Sequence, residues 1–363
     1  MDIYITTAAL LFLGALFCFT DKYRQRLASQ FFWLAVLWLI LYEGLRWQIG
    51  SDWGSYYNAF MHGGDDSNHM DAGYMLLNKA IFNIYPNYTF FLLVFSAFVY
   101  LVIAHTIRNF SPIPLVSLCL YYCGMTGVLG CNRQILAMAI CLLSLKFIQE
   151  RKPVQFLSVI LIAMSFHLTA VTFVPVYFFY GKDYNSKAIF AIAIIAFLCG
   201  LSKIVDNLPF AQYLVLLDDA TGHTSFETYI GNTGGFRQIS VIGALKRILF
   251  ILLFLSQRKL IQNRLYDFIV LTYIYGCVIY LIFNGSCLQL LAGRGTMYYG
   301  FFEYLIVPYF LKYNKWFRGW TSKVVWVVFF ALSFYLMQRD MQYYSLMDGS
   351  DIFRPYHSVF QNY

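Results

Sequence analysis

Apolar residues run through this chain in long blocks, interrupted by short polar intervals that carry most of the Lys and Arg. The blocks predict helices near 3–20, 27–45, 88–107, 113–130, 134–149, 154–166, 168–180, 188–201, 241–256, 265–283, 298–311 and 324–338. Several approach the roughly 20 apolar residues that hydrocarbon requires, and the rest are shorter. The expected fold is all-α: a polytopic transmembrane bundle of about 12 helices. Residues 1–363 form one integral membrane domain, with no internal repeat, low-complexity tract or separable soluble part.

Lys and Arg near helix ends resist translocation, so basic patches mark the cytoplasmic side. The patches are Lys22 to Arg26, Arg108, Arg151-Lys152, Lys182 with Lys187, Arg258-Lys259 with Arg264, and Lys312 through Lys323. Threading the blocks between them puts both termini outside, together with loops near 46–87, 202–240 and 284–297 and a polar tail after Gln338. Within the first loop, residues 71–82 repeat their apolar positions at helical spacing and predict a helix lying flat at the outer interface. The helices at 154–180 are too short to cross separately. The preferred reading is a tight hairpin with its tip at His167; the alternative is one long tilted helix, which inverts the later loops.

Composition agrees with this picture. Of 363 residues 60% are hydrophobic and only 12% charged, about half the charge that a wetted surface carries. Thirty-six Phe and 30 Tyr suit lipid contact with aromatic belts at the headgroups. The net charge of +8 sits in loop patches rather than in a basic run among exposed aromatics, so no nucleic-acid partner is expected. The eight cysteines include no C-x-x-C pair and give no metal framework. Cys123 and Cys131 flank one external loop, where packed thiols are expected in preference to a disulfide. Met1-Asp2-Ile3-Tyr4 lacks the basic start of a removed signal peptide.

Five arginines break the charge rule by falling at external helix ends or loops: Arg46, Arg133, Arg237, Arg294 and Arg354. An arginine in the membrane costs about 2.5–3.5 kcal/mol at a helix centre on insertion scales. Each alone is readily explained by snorkelling to headgroups or by a nearby carboxylate. As a set they work against the topology signal, and guanidinium forks bind phosphate oxygens bidentately. The stretch from Arg46 to Tyr57 adds Asp52 and the rings of Trp53 and Tyr56, which offer sugars an apolar platform with polar partners. An aromatic belt with Asp52 as an N-cap explains that stretch about as well. His167, in an apolar run, is either a base near neutral pH or a helix–helix hydrogen-bonding residue. No D-x-D pair, phosphate loop, H-E-x-x-H or G-x-S-x-G occurs, and the cytoplasmic loops are too small for a nucleotide domain.

Several blocks occur in a telling order: Arg46…Gly50-Ser51-Asp52-Trp53…Tyr56, Asp71-Ala72-Gly73-Tyr74…Leu77-Asn78, Asn132-Arg133-Gln134…Ala137 and Ser165-Phe166-His167…Ala170. Arg294…Tyr298-Tyr299 and Pro355-Tyr356…Val359-Phe360 follow. Together they resemble the EpsG group of Wzy-type polysaccharide polymerases over most of the chain. Asp71-Ala72 departs from the Glu-Pro-like pair expected there, so Asp71 is assigned no role.

The resemblance implies a GT-C-like membrane glycosyltransferase in the bacterial inner membrane, multi-pass, with its site facing the periplasm. It would polymerise undecaprenyl-pyrophosphate-linked oligosaccharides into O-antigen or exopolysaccharide, without cofactor or metal, alongside a chain-length regulator protein. On that basis His167, Asp52, Arg133 and Arg294 are the catalytic candidates. Arg46, Arg237, Trp53, Tyr56, Gln134 and Tyr298 are the substrate-binding candidates. An O-antigen ligase shares nearly all of this chemistry. A lipid-linked oligosaccharide flippase would bind the same pyrophosphate, but it should show repeat symmetry and midplane polar residues.

Overall fold

The computed structural model describes residues 2–19, 23–63, 70–207, 240–286, 288–289, 291–313 and 319–361. Among them the chain is helical throughout, without a named strand. The α-helices are α1 Ile3–Leu16, α2 Tyr23–Gly44, α3 Trp53–Met61, α4 Ala72–Ile84, α5 Tyr88–Phe110, α6 Pro114–Met125 and α7 Asn132–Leu143. They continue as α8 Leu145–Gln149, α9 Pro153–Phe166, α10 Ser186–Leu201, α11 Val241–Ile261, α12 Arg264–Phe283, α13 Met297–Tyr313 and α14 Trp320–Asp348.

Local sequence sets many of these ends. Asn87, Asn185 and Asn263 each accept a backbone N–H of the first turn they precede, and Pro114 and Pro153 open helices where their missing donor is not needed. Four stretches are long and apolar enough to cross a membrane: Arg26–Gly44, Tyr88–Phe110, Arg264–Phe283 and Trp320–Tyr343. Shorter apolar helices accompany them, among them Ile3–Leu16 and Ser186–Leu201. Only 17% of the best window in Trp320–Tyr343 is buried, so most of that apolar surface faces outward, as it would in lipid. This is a membrane protein.

Every expected block falls on a helical segment, with four departures. The first loop holds two helices, α3 as well as the expected α4. The block at 134–149 divides at Ser144, whose hydroxyl bonds the Cys141 carbonyl. The segment after His167 is a 3-10 helix, Leu168–Phe178, with Pro175 inside it. At about 2.0 Å per residue its 11 residues span roughly 22 Å, as far as the 14 residues of α9 do at 1.5 Å. Finally, α14 runs on to Asp348, where a polar tail was expected from residue 339.

The chain divides into two compact units, residues 1–168 with 304–363, and residues 169–303. In the first unit α2 packs on α5, α7 on α9, and α6 on α1 and α14. The added helices α3 and α4 pack on each other and on α5, and α4 also packs on α9. Gly73 permits that last contact: a Cβ there would lie 2.3 Å from Ser165 Oγ. In the second unit α10, α11 and α12 pack together. The 3-10 segment follows them from Thr169, bonded to Tyr298, to the turn at Tyr184, whose hydroxyl bonds the Asp267 carbonyl.

Candidate functional site

The densest polar cluster of the first unit is built where α3, α4 and α7 begin. Asn132 and Arg133 open α7, Asp71 occupies the N-cap position of α4, and Asp52 that of α3. Arg133 Nη1 pairs with Asp71 Oδ2 at 2.8 Å, and its Nε donates to the Tyr56 hydroxyl at 3.3 Å. Both side chains of the pair keep about a quarter of their surface exposed, 23% and 26%. The guanidinium also lies 5.9 Å from the Tyr56 ring centroid. Asp52 makes no side-chain capping bond on α3, one turn before Tyr56. Burial pushes the Tyr56 hydroxyl up to about 12, opposed by Arg133, so it stays protonated at neutral pH.

Arg46 lies behind this pair. It is fully buried, and it donates from Nη2 to Asn132 Oδ1 at 2.8 Å and from Nη1 to the Ile49 carbonyl. Two glycines let its loop close against the turn before α7. Gly50 has φ +100°, where a Cβ would meet the Leu129 carbonyl at 2.4 Å; Gly130 has φ +107° and faces Ser51 N. The C-terminal tail covers the loop from the other side. Trp47 N bonds the His357 carbonyl, Val359 N the Leu45 carbonyl, and Gly50 N the Ile352 carbonyl. Tyr356 stacks on Tyr42 and donates to its carbonyl at 2.6 Å, while Arg354 pairs with Asp2 at 2.6 Å. The terminal Pro355-Tyr356 block is therefore a strap over the Arg46 loop.

The rings of the aromatic stretch differ in burial. Trp53 and Tyr56 are buried, whereas Trp47 and Tyr57 line a cleft of about 200 Å³ with Asn87 and Tyr88. Trp53 supports that wall from behind, stacked on Tyr57 with centroids 4.8 Å apart. Gln134 is buried on α7. His167 follows α9 as its C-cap, half-buried, two residues beyond the Ser165 that packs on Gly73. Asp52, Tyr56, Asp71, Arg133 and the end of α9 thus share one end of the first unit.

In the second unit Arg294 is half-buried in a π-helix, Leu291–Gly295, a rare geometry often found at functional positions. Tyr298 is fully buried, its hydroxyl 3.0 Å from Thr169 Oγ1. Arg237 lies outside the described residues. Cys123 and Cys131 are free thiols.

The sequence reading passed over Asp71, Asn132, Trp47 and Tyr57. The sequence assigns Asp71 no role, yet its carboxylate pairs with Arg133. The available signal was the pairing of a loop acid with an arginine at a helix start. No group of three or more His, Cys, Asp or Glu able to hold a metal occurs among the described residues.

No curated protein sequence and no solved structure matches this chain. A family model covers most of the length of the chain: it belongs to the EpsG family, whose model matches residues 31–358.

Proposed function

We propose that this chain is a polysaccharide polymerase that joins undecaprenyl-pyrophosphate-linked oligosaccharide repeats into O-antigen or exopolysaccharide at the outer face of the bacterial inner membrane. Membership of the EpsG family, which is associated with polysaccharide polymerases, supports the class of reaction. The observation that carries the site is the part-exposed Arg133 guanidinium, aimed by Asp71 and Tyr56 at the start of α7. A planar cation held at a helix N-terminus suits a pyrophosphate, since guanidinium fork and helix dipole both favour the anion.

In the reaction an acceptor sugar hydroxyl attacks the anomeric carbon of the lipid-linked chain. A carbon–oxygen bond forms there as the bond to the pyrophosphate breaks, and the pyrophosphate leaves with the electron pair. Arg133 neutralises the departing charge, an electrostatic contribution that often dominates catalysis. The hydroxyl proton passes to His167 or Asp52 and then to solvent. Transfer inverts the anomeric centre and uses no metal. Trp47 and Tyr57 provide the apolar face on which a sugar ring rests. Arg46, enclosed with the Ile49 carbonyl and Asn132 as its acceptors and the buried Glu43 in electrostatic reach, holds the floor of the site rather than the substrate.

Deleting the gene in its host tests the class. A polymerase loss leaves single repeats on the acceptor, a ligase loss leaves unattached polymer, and a flippase loss leaves neither. For the base, His167→Gln should lower the rate by about 10²–10⁴-fold in membranes supplied with defined lipid-linked repeats, with Asp52→Asn milder. The reverse ranking moves the base to Asp52.

A further inference from the structure

The first unit has a second feature of ligand size, at the opposite end of its helices from Arg133. Where α1 and α5 end and α2, α6 and α14 begin, a cavity of about 570 Å³ opens, within the usual range for small-molecule sites. Its wall includes Ser29, Phe32, Pro112 and Pro114, with Arg108 and Lys312 as its cations. Among the described residues neither cation has an acidic partner. Each leans on an aromatic ring instead, Arg108 at 5.5 Å from the Trp33 centroid and Lys312 at 5.6 Å from that of Tyr313. Residues 312–323 hold Lys312, Lys315, Arg318 and Lys323 without one Asp or Glu, and between Cys18 and Ala28 the sequence sets Lys22, Arg24 and Arg26 against the single Asp21. The first turn of α6 has no side-chain cap.

A second, apolar groove of about 440 Å³ adjoins it between α1 and α2, lined by Gly14, Phe17, Leu27, Phe31 and Leu34. Ala28 belongs to both walls. A cationic chamber continuous with an apolar trough, at helix ends that the basic patches place on the cytoplasmic boundary, has the chemistry of one kind of molecule. We propose that the cavity binds the phosphate-bearing headgroup of an anionic membrane lipid, with an acyl chain lying along the α1–α2 groove.

A free anion would use the chamber but not the trough. A purely apolar occupant would leave Arg108 and Lys312 without a counter-charge, in a place where anionic headgroups are attracted by about 1 kcal/mol per basic residue. Two such residues correspond to a change of roughly thirtyfold in affinity.

The test uses the full chain purified in detergent, with its melting temperature followed as short-chain phosphatidylglycerol is titrated in. Phosphatidylcholine of the same chain length and inorganic phosphate serve as separate probes. The expected result is a saturable rise with phosphatidylglycerol alone, and an apparent affinity roughly thirtyfold weaker in Arg108→Gln/Lys312→Gln. Ala28→Phe, which narrows the junction without touching charge, should also weaken it. Lys312→Gln alone changes an exposed side chain and should give an intermediate loss even if the double variant folds poorly. Equal stabilisation by phosphatidylcholine, or an unchanged response in Lys312→Gln and Ala28→Phe, overturns the proposal. Full stabilisation by inorganic phosphate overturns the lipid and leaves a free-anion site.

Discussion

Arg46 and Arg133 both sit near the start of α7, yet the regions around them are built differently. Arg46 is enclosed: its exposure is zero, its acceptors are a backbone carbonyl and an amide, and the C-terminal tail straps its loop from more than 300 residues away. Arg133 faces a carboxylate and a tyrosine carried in by the added helices α3 and α4, with about a quarter of the pair still exposed. A buried cation with neutral acceptors is an architectural element, because removing it strands those acceptors without gain elsewhere. A part-exposed cation with an anionic partner can exchange or share that partner with an incoming phosphate. The same residue type at neighbouring places is thus enclosed framework in one region and a part-exposed ion pair in the other.

The largest effect is expected from Arg46→Ala. It orphans Asn132 Oδ1 and the Ile49 carbonyl and leaves a void, so we expect a loss of about 3 kcal/mol or more and little folded protein. Fluorescence-detected size exclusion measures this directly. Normal amounts of monodisperse protein would break the contrast.

Arg133→Lys should leave protein levels unchanged and lower the transfer rate about 10²–10³-fold, since a point charge loses the fork that matches phosphate. The readout is polymer formed in purified membranes at matched protein. Unimpaired polymer would make Arg133 another framework residue.

Asp71→Asn should be milder, about tenfold in rate, because the amide still accepts from Arg133 but with a weaker bond. Arg133→Lys/Asp71→Asn should be little worse than Arg133→Lys alone, the signature of two groups acting as one. Additive losses would separate their roles.

The smallest effect belongs to the strap. Tyr356→Phe removes one hydrogen bond to the Tyr42 carbonyl but keeps the stacked ring, a cost of about 1 kcal/mol seen as a modest drop in melting temperature without change in rate at saturating substrate.

What the sequence settled by itself was whatever depends on local pattern. Apolar runs cannot stay in water, and a backbone in lipid must satisfy its own hydrogen bonds, so the helices and their approximate ends follow from spacing alone. The ordered blocks were enough to point to the family. Tertiary structure decided the rest, because contacts between residues far apart have no period to read. It placed Asp71 on Arg133 across 62 positions, and Trp47 and Tyr57 rather than Trp53 and Tyr56 on the cleft. It also turned the C-terminal block into a strap over Arg46. The nine residues of helix α3 carry too short an apolar pattern to be read as a helix from the sequence. The segment Leu168–Phe178 is a 3-10 helix, which the spacing of its apolar residues does not distinguish from an α-helix. Pattern fixes what each segment must hide from water; only packing fixes which charged or aromatic side chains meet when it is hidden.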